Sequence, residues 1–233
     1  TVSNIMKNEL ANYGYKGEAS VIKNGSTYTK IDIENNQLEQ IKQTYNLQDA
    51  EHIMIFVGLV VQYKNIKFSI DALNLIKDKI GNFKFVIVGY GPDFDYFVKY
   101  VQSIGLQDNV IFTNKIYDKQ VLAGLYKASD LLLFPSIFDT DGLVVVEAAM
   151  NKTPTIVIEN TGASERIENN VSGFTIKNDL TEYANKIEYL LNNKQIVKTV
   201  GENAEKMLPK AWSETAQEYF EEYKKLAEQV DNK

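Results

Sequence analysis

The chain has 233 residues and a formal net charge of −6, with no cysteine, one histidine (His52) and one arginine (Arg166). That length allows one large domain or two small ones, and the composition excludes a disulfide framework, a cysteine-ligated zinc site, a His–His metal pair and an arginine clamp. Acids and bases are spread along the sequence, so the basic stripe of a nucleic-acid surface is missing, although a small anion needs only a few amides and one lysine.

No run of about 18 apolar residues is present, and the opening TVSNIMKNELANYG lacks the apolar core of a signal peptide. A start at Thr1 in place of Met suggests a processed chain or an excised piece of a longer one, the second being the preferred expectation, and the cysteine-free composition fits a reducing compartment. Richness in Asn, Lys and Ile points to a low-GC bacterium.

Residues 3–13 carry a helical pattern, EASVIKNG (18–25) reads as a short strand leading to a turn, and 33–46 is helical again. From there short apolar runs alternate with amphipathic segments. HIMIFVG (52–58), FKFVIVG (83–89), NVIFT (109–113), DLLLFP (130–135) and TPTIVIE (153–159) are apolar along most of their length, as parallel strands covered on both faces should be. Between them lie helical patterns over 65–79, 93–105 and 118–129. The rhythm predicts an α/β fold with a doubly wound parallel sheet and right-handed crossovers. After the last strand, 180–192, 194–207 and 212–230 are helical, the last with a candidate N-cap at Ser213.

The stretch DTDGLVVVEAAM (139–150) looks like a strand but holds Glu147 among apolar residues. Parallel neighbours need a crossover of a dozen or so residues, usually helical, and 142–151 is the only segment available before the next strand. On that helix Leu143, Val144 and Met150 share the face of Glu147, which puts the carboxylate on the packed side. A buried acid needs donors; the alternatives are sugar or ribose hydroxyls from a ligand, or an amide or lysine of the protein itself.

Ligands of open α/β sheets bind beyond the carboxyl ends of the strands, and four stretches fall there. In FVGLVVQYKN (56–65), Gly58 lets backbone approach a phosphate and Lys64 supplies a point charge; the plain alternative is a turn glycine and a surface lysine. In VGYGPD (88–93), Gly89 and Gly91 make a tight turn with Asp93 as a candidate cap; Phe94 at the third glycine position rules out the dinucleotide fingerprint. In 139–147, Asp139 precedes the helix, and Gly142 leaves first-turn amides free for an anion. In ENTGASERI (159–167), the amides of Thr161, Gly162 and Ala163 face a ligand or close a turn, and Glu165 caps or binds.

FVGLVVQYKN, IVGYGPD, FPSIFDTDGLVVVEAA and NTGASERI, in this order and followed by VSGF (171–174), resemble the C-terminal donor-binding domain of the retaining GT-B glycosyltransferases, glycosyltransferase family 4 or "group 1". The resemblance covers roughly 52–176. It implies a Rossmann-like C-terminal half of a GT-B fold at 31–208, with 1–30 as the end of the acceptor domain and hinge and 209–233 as a helix crossing back. It implies an enzyme transferring a hexose from a nucleoside-diphosphate sugar, with UDP the first choice, to a glycan or lipid bound by the other half. Lys64 and the backbone at Gly58 would hold the diphosphate, and Glu147 the ribose hydroxyls. Asp139 would hold the transferred sugar, the amides near Asp141, Gly142 and Leu143 would meet the sugar or β-phosphate, and Lys115 and Ile116 would face the base. No metal or other cofactor is expected, and the implied location is the cytoplasm, with peripheral contact at the inner face of the membrane.

The sequence departs from the family pattern at three positions. Leu59 stands where an arginine is usual, Asp139 is one methylene shorter than the usual glutamate, and Asp141 replaces an aromatic. Lys67, one turn after Lys64, is the candidate to replace the arginine, and Asp141 to read the sugar. The rival functions are a non-catalytic glycosyltransferase-like partner, which Leu59 favours, and a sugar-nucleotide epimerase; an NAD oxidoreductase lacks its glycine signature.

Overall fold

The computed structural model describes residues 1–231, the side chains of 229–231 excepted. Two helices, α1 (Asn4–Asn12) and α2 (Asn35–Thr44), precede the sheet. Then β1 (His52–Val57), α3 (Ile66–Ile76), β2 (Phe83–Val88), α4 (Phe94–Ser103), β3 (Val110–Asn114) and α5 (Lys119–Ala128) follow in strict alternation. The second half holds β4 (Leu131–Phe134), α6 (Leu143–Met150), β5 (Thr155–Ile158) and β6 (Phe174–Ile176), and ends in α7 (Leu180–Leu191), α8 (Lys194–Met207) and α9 (Trp212–Asp231).

All six strands are parallel, in the order β3-β2-β1-β4-β5-β6. The winding reverses between β1 and β4, and a crevice opens beyond the carboxyl ends at such a reversal. Met54, Ile55 and Phe56 of β1 and Leu131, Leu132 and Leu133 of β4 are fully buried, which explains why these strands read as unbroken apolar runs. The edge strand β3 is half-exposed from Ile111 on, because only one side of it is paired.

The segment 139–150 does form a helix, α6, but its faces differ from expectation. Val145, Val146, Ala148 and Ala149 are the buried ones, whereas Leu143, Val144, Glu147 and Met150 form a half-buried flank. The extra valine methyls pack toward the sheet, which offsets their weak helix propensity.

Four further expectations change. Residues 18–25 form no strand; the nearest pairing is an isolated bridge between Ser26 and Ala211. Ser213 lies inside the first turn of α9, where the Glu214 carboxylate accepts from the Ala211 amide in its place. Asp93 does not cap α4; its carboxylate accepts from the Gln62 amide, 2.8 Å, and so ties two loops together. Strand β6 went unread because three residues after Gly173 are too few to show a period.

Leu132 is buried at the point where β4 pairs with β1 and β5. Leu132→Ala is expected to lower the unfolding free energy by about 2–5 kcal/mol, read from a urea transition.

Candidate functional site

Two glycine-ended strands build one wall of the crevice. A Cβ on Gly89 would stand 1.8 Å from the Gly58 carbonyl oxygen, so the loops after β1 and β2 touch backbone to backbone only because Gly89 carries no side chain. Gly91 has the same constraint against the Val60 carbonyl, 2.3 Å. It shapes the turn and is not among the lining residues of the cavity. Beside these loops lies a cavity of about 280 Å³ lined by Gly58, Leu59, Gly89, Lys115, Ile116 and Leu122. Leu59 is 49% exposed, and the Lys115 ammonium sits over the Tyr117 ring at 4.7 Å. Leu122, a half-buried leucine on α5, was missed from sequence because such residues are usually packing. A recess of about 360 Å³ lies at the opposite, amino end of the sheet, near Lys30, Lys127 and Met150. Its basic groups are already taken: Lys30 and Lys152 by Glu205, Lys127 by the Ile33 carbonyl.

Lys64 is brought into the crevice by a 3-10 turn over Gln62–Lys64 that ends at Asn65, whose left-handed φ of 58° starts α3. Its ammonium meets Asp139 Oδ2 at 2.5 Å, with both side chains mostly buried (15% and 13% exposed), and lies 5.5 Å from the Phe134 ring centre. Asp139 Oδ1 accepts from the amides of Gly142, 2.7 Å, and Asp141, 3.2 Å. Two of the three amides expected to meet an anion, those of Asp141 and Gly142, are therefore already meeting a carboxylate of the protein. The amides of Leu143 and Val144, in the first turn of α6, have no intrahelical acceptor. Ser136, fully buried between β4 and Asp139, has no partner for its hydroxyl among the described residues; the sequence showed it only as a strand terminator.

Asp141 does not stand free for a sugar. It forms a buried ion pair with Arg166, Oδ1 to NH2 2.6 Å, both side chains 4% exposed. Arg166 Nε also donates to Asp141 Oδ1 and to its carbonyl, and NH2 to the Asn24 carbonyl. Asn24 returns its own amide to Asp141 Oδ2. The acid that looked awkward beside a diphosphate is neutralised from behind by the only arginine.

The 159–167 loop closes on itself and on its neighbours. Thr161 and Ser164 exchange hydrogen bonds, and Gly162 abuts the carbonyls of Asp139 and Thr140. Glu165 caps α1, accepting from the amides of Asn4 and Ile5, both 2.8 Å. Burial works against its charge, but those amides outweigh it and hold its pKa below the ordinary value. Lys67, the candidate replacement for an arginine, is committed elsewhere: Asp71 at 2.7 Å, the Tyr100 hydroxyl at 2.8 Å and the Tyr100 ring at 4.2 Å.

Glu147 projects from the half-buried flank of α6 and accepts from the Tyr126 hydroxyl at Oε2, 3.1 Å. Burial raises its pKa above the ordinary carboxylate value, and the Tyr126 hydrogen bond offsets part of that. Tyr126 is the only donor to this carboxylate among the described residues. Neither a main-chain amide nor a lysine satisfies it, so Oε1 keeps its accepting capacity.

A sheet wound as 3-2-1-4-5-6, with glycine-ended β1 and β2 and a lysine–carboxylate pair at the head of α6, has the α/β Rossmann-like architecture of a GT-B glycosyltransferase domain. The sequence profile "Glycosyl transferases group 1" matches residues 37–207, and the chain belongs to that family. It is 31% identical over 180 residues to an uncharacterized glycosyltransferase of Methanocaldococcus jannaschii, covering 76% of this chain and 46% of that one. It is 28% identical over 174 residues to the alpha-monoglucosyldiacylglycerol synthase of Streptococcus pneumoniae, 73% of this chain and 39% of that one. The chain thus spans about half the length, or less, of these relatives. The fold is shared with Anabaena HepE in its crystal structure with UDP and glucose, TM-score 0.83 at 22% identity, over 96% of this chain and 62% of that one.

Asp141→Ala, which strands a buried guanidinium, is expected to cost about 3–5 kcal/mol of stability. Asp141→Leu combined with Arg166→Met, which removes both charges, should cost clearly less. Urea unfolding of the two variants checks the difference.

Proposed function

We propose that this chain is the nucleotide-sugar half of a retaining glycosyltransferase that passes a hexose from a UDP-sugar to a glycan or lipid acceptor. The observation that carries this reading is the convergence of Lys64 and the amides of Asp141 and Gly142, immediately before α6, on one carboxylate, Asp139. A site that holds an anion by an ammonium and by amides at the entrance to a helix suits phosphate, and the Gly58 loop that leads to Lys64 lines the cavity of Lys115, Ile116 and Leu122. HepE, with the same fold, holds UDP and glucose, which supports UDP as the first donor to test.

In the proposed reaction an acceptor hydroxyl oxygen attacks the anomeric carbon on the face that the diphosphate leaves. The bond from that carbon to the β-phosphate oxygen breaks, and the hydroxyl proton passes to the departing phosphate. Lys64 and the α6 N-terminus would stabilise the developing charge without a metal ion. Gly58 would admit the diphosphate, Glu147 would accept from the ribose hydroxyls, and Asp139 would accept from the sugar. The acceptor and any membrane contact would belong to the part of the enzyme that these residues do not include.

No helix among the described residues is long and apolar enough to cross a membrane. One relative is named for a glucosyldiacylglycerol product, which makes lipids a class to assay. The alternative of a non-catalytic partner draws support from Leu59 and from Lys67 being held by Asp71 and Tyr100. Loss of transfer in Glu147→Gln of the longest active chain would exclude it.

Titration calorimetry with UDP, ADP and uridine tests the reading; no binding of any nucleoside diphosphate at millimolar concentration would overturn it. Lys64→Ala is expected to weaken UDP by at least about tenfold, the loss of one charge-assisted contact, and to leave uridine unchanged. Asp139→Asn keeps an acceptor for the two amides but releases Lys64. It is expected to bind UDP about tenfold more tightly, on the order of one charge–charge contact at a partly screened site.

A further inference from the structure

We propose that Tyr126 is a positioning residue for Glu147: its buried hydroxyl fixes one carboxylate oxygen so that the other meets the ribose diol of a bound nucleotide. The proposal rests on the nucleotide reading above and adds a residue from α5 to the site.

Tyr126 has no freedom of its own. It is fully buried, its carbonyl accepts from the Thr153 hydroxyl at 2.6 Å, and its ring meets Tyr28 edge-on, centroids 6.5 Å apart. Tyr28 is fixed in turn by Asn151, whose side-chain amide donates to the Tyr28 hydroxyl and to the Glu147 carbonyl, both at 2.9 Å. Glu147 is thus bracketed by the segment carrying Tyr28, by α5 and by its own helix, and the hydroxyl of Tyr126 is aimed by packing rather than by choice.

A hydroxyl has one proton, and Tyr126 gives it to Oε2. No second donor among the described residues reaches the carboxylate, so the contact orients Glu147 without saturating it. A ribose diol then adds neutral donors to the oxygen that remains.

The groups facing Glu147 are Tyr126 from α5, Tyr28 from the segment before α2, and Asn151 at the end of α6; none carries a charge at neutral pH. Burial lifts the pKa of Glu147, and the hydroxyl alone pulls it back. Burial, with the nearby carboxylate, lifts that of Tyr126 well above the ordinary value, so the tyrosine stays a donor. Removing the hydroxyl should raise the Glu147 pKa further. The carboxylate then gains a proton at higher pH and loses its accepting capacity sooner as the solution is acidified.

The test is calorimetry from about pH 5 to pH 8, a span that brackets raised carboxylate values, with UDP and 2′,3′-dideoxy-UDP. The proteins are the wild type, Tyr126→Phe, Glu147→Gln and the double variant. Tyr126→Phe is expected to weaken UDP about tenfold near pH 7, the scale of one hydrogen bond to a charged group. It should also move the acidic loss of affinity to higher pH, and leave the dideoxy nucleotide unaffected. In the Glu147→Gln background it should add nothing. Equal weakening of both nucleotides, an unmoved pH profile, or an effect that persists in the Glu147→Gln background would make Tyr126 a packing residue and overturn the proposal. A wild type that binds neither nucleotide sinks the nucleotide reading as well, whereas wild-type binding matched by Tyr126→Phe sinks this inference alone.

Discussion

The ion pair between Asp141 and Arg166 joins three stretches far apart in sequence. Asp141 belongs to the loop before α6, Arg166 to the loop after β5, and both bond the backbone of Asn24. With both side chains out of water, the pair depends on the hydrogen bonds around it: Nε and one terminal nitrogen of Arg166 and both carboxylate oxygens of Asp141 are engaged. Its position fixes the loop that turns at Gly142, whose φ of 68° aims the first turn of α6. A Cβ at Gly142 would stand 2.7 Å from that of Ala163, so the two loops close on each other at the same place. The direction of α6, and with it the positions of Asp139 and Glu147, depends on this knot.

Charge in the crevice is arranged in two layers. Behind, Arg166 neutralises Asp141 in a fixed and buried pair. In front, Lys64, on its long side chain, and the amides of Asp141 and Gly142 hold Asp139. The first pair is structural because removing either member strands the other away from water. The second is less deeply buried, its side chains 15% and 13% exposed against 4% for each member of the first.

Much of the fold was legible because buried parallel strands are apolar on both faces and their crossovers are amphipathic; β1 to β5 and the helices after them show this directly. The assignment of 139–150 to a helix came from connectivity, since its valines argued for a strand. What misled was local. EASVIKNG has strand-like residues but spends its backbone bonds on scattered partners instead of a neighbouring strand, the Ile22 amide on the Thr1 carbonyl and Asn24 on Asp141 and Arg166. The partners of Asp141 and Glu165 come from 25 and 161 residues away, and no local pattern encodes such pairings; Lys67 has Asp71 at i+4, which is local, but also Tyr100, 33 residues away. Gly58 and Gly89 were singled out by their place after strands, Lys115 and Ile116 by the family resemblance, and the structure brings all four to one cavity. Tyr126 gave no signal because a tyrosine on the inner face of a helix looks like core until its hydroxyl is traced.

On the nucleotide-sugar reading, the Lys64–Asp139 pair links two recognition events. A diphosphate entering the crevice meets a lysine whose charge is already balanced, so its own charge is welcomed only as Asp139 withdraws. The displaced carboxylate, still tethered by the backbone at the head of α6, is then left with unused acceptors beside the β-phosphate, where the hexose must lie. Sugar hydroxyls are neutral donors that can take the place of the lysine on it. Phosphate binding thereby prepares the group that recognises the sugar, and a nucleotide without a sugar leaves that carboxylate uncompensated. The shorter side chain of aspartate fits this role, since it reaches the lysine from the loop without lying across the first-turn amides of Leu143 and Val144.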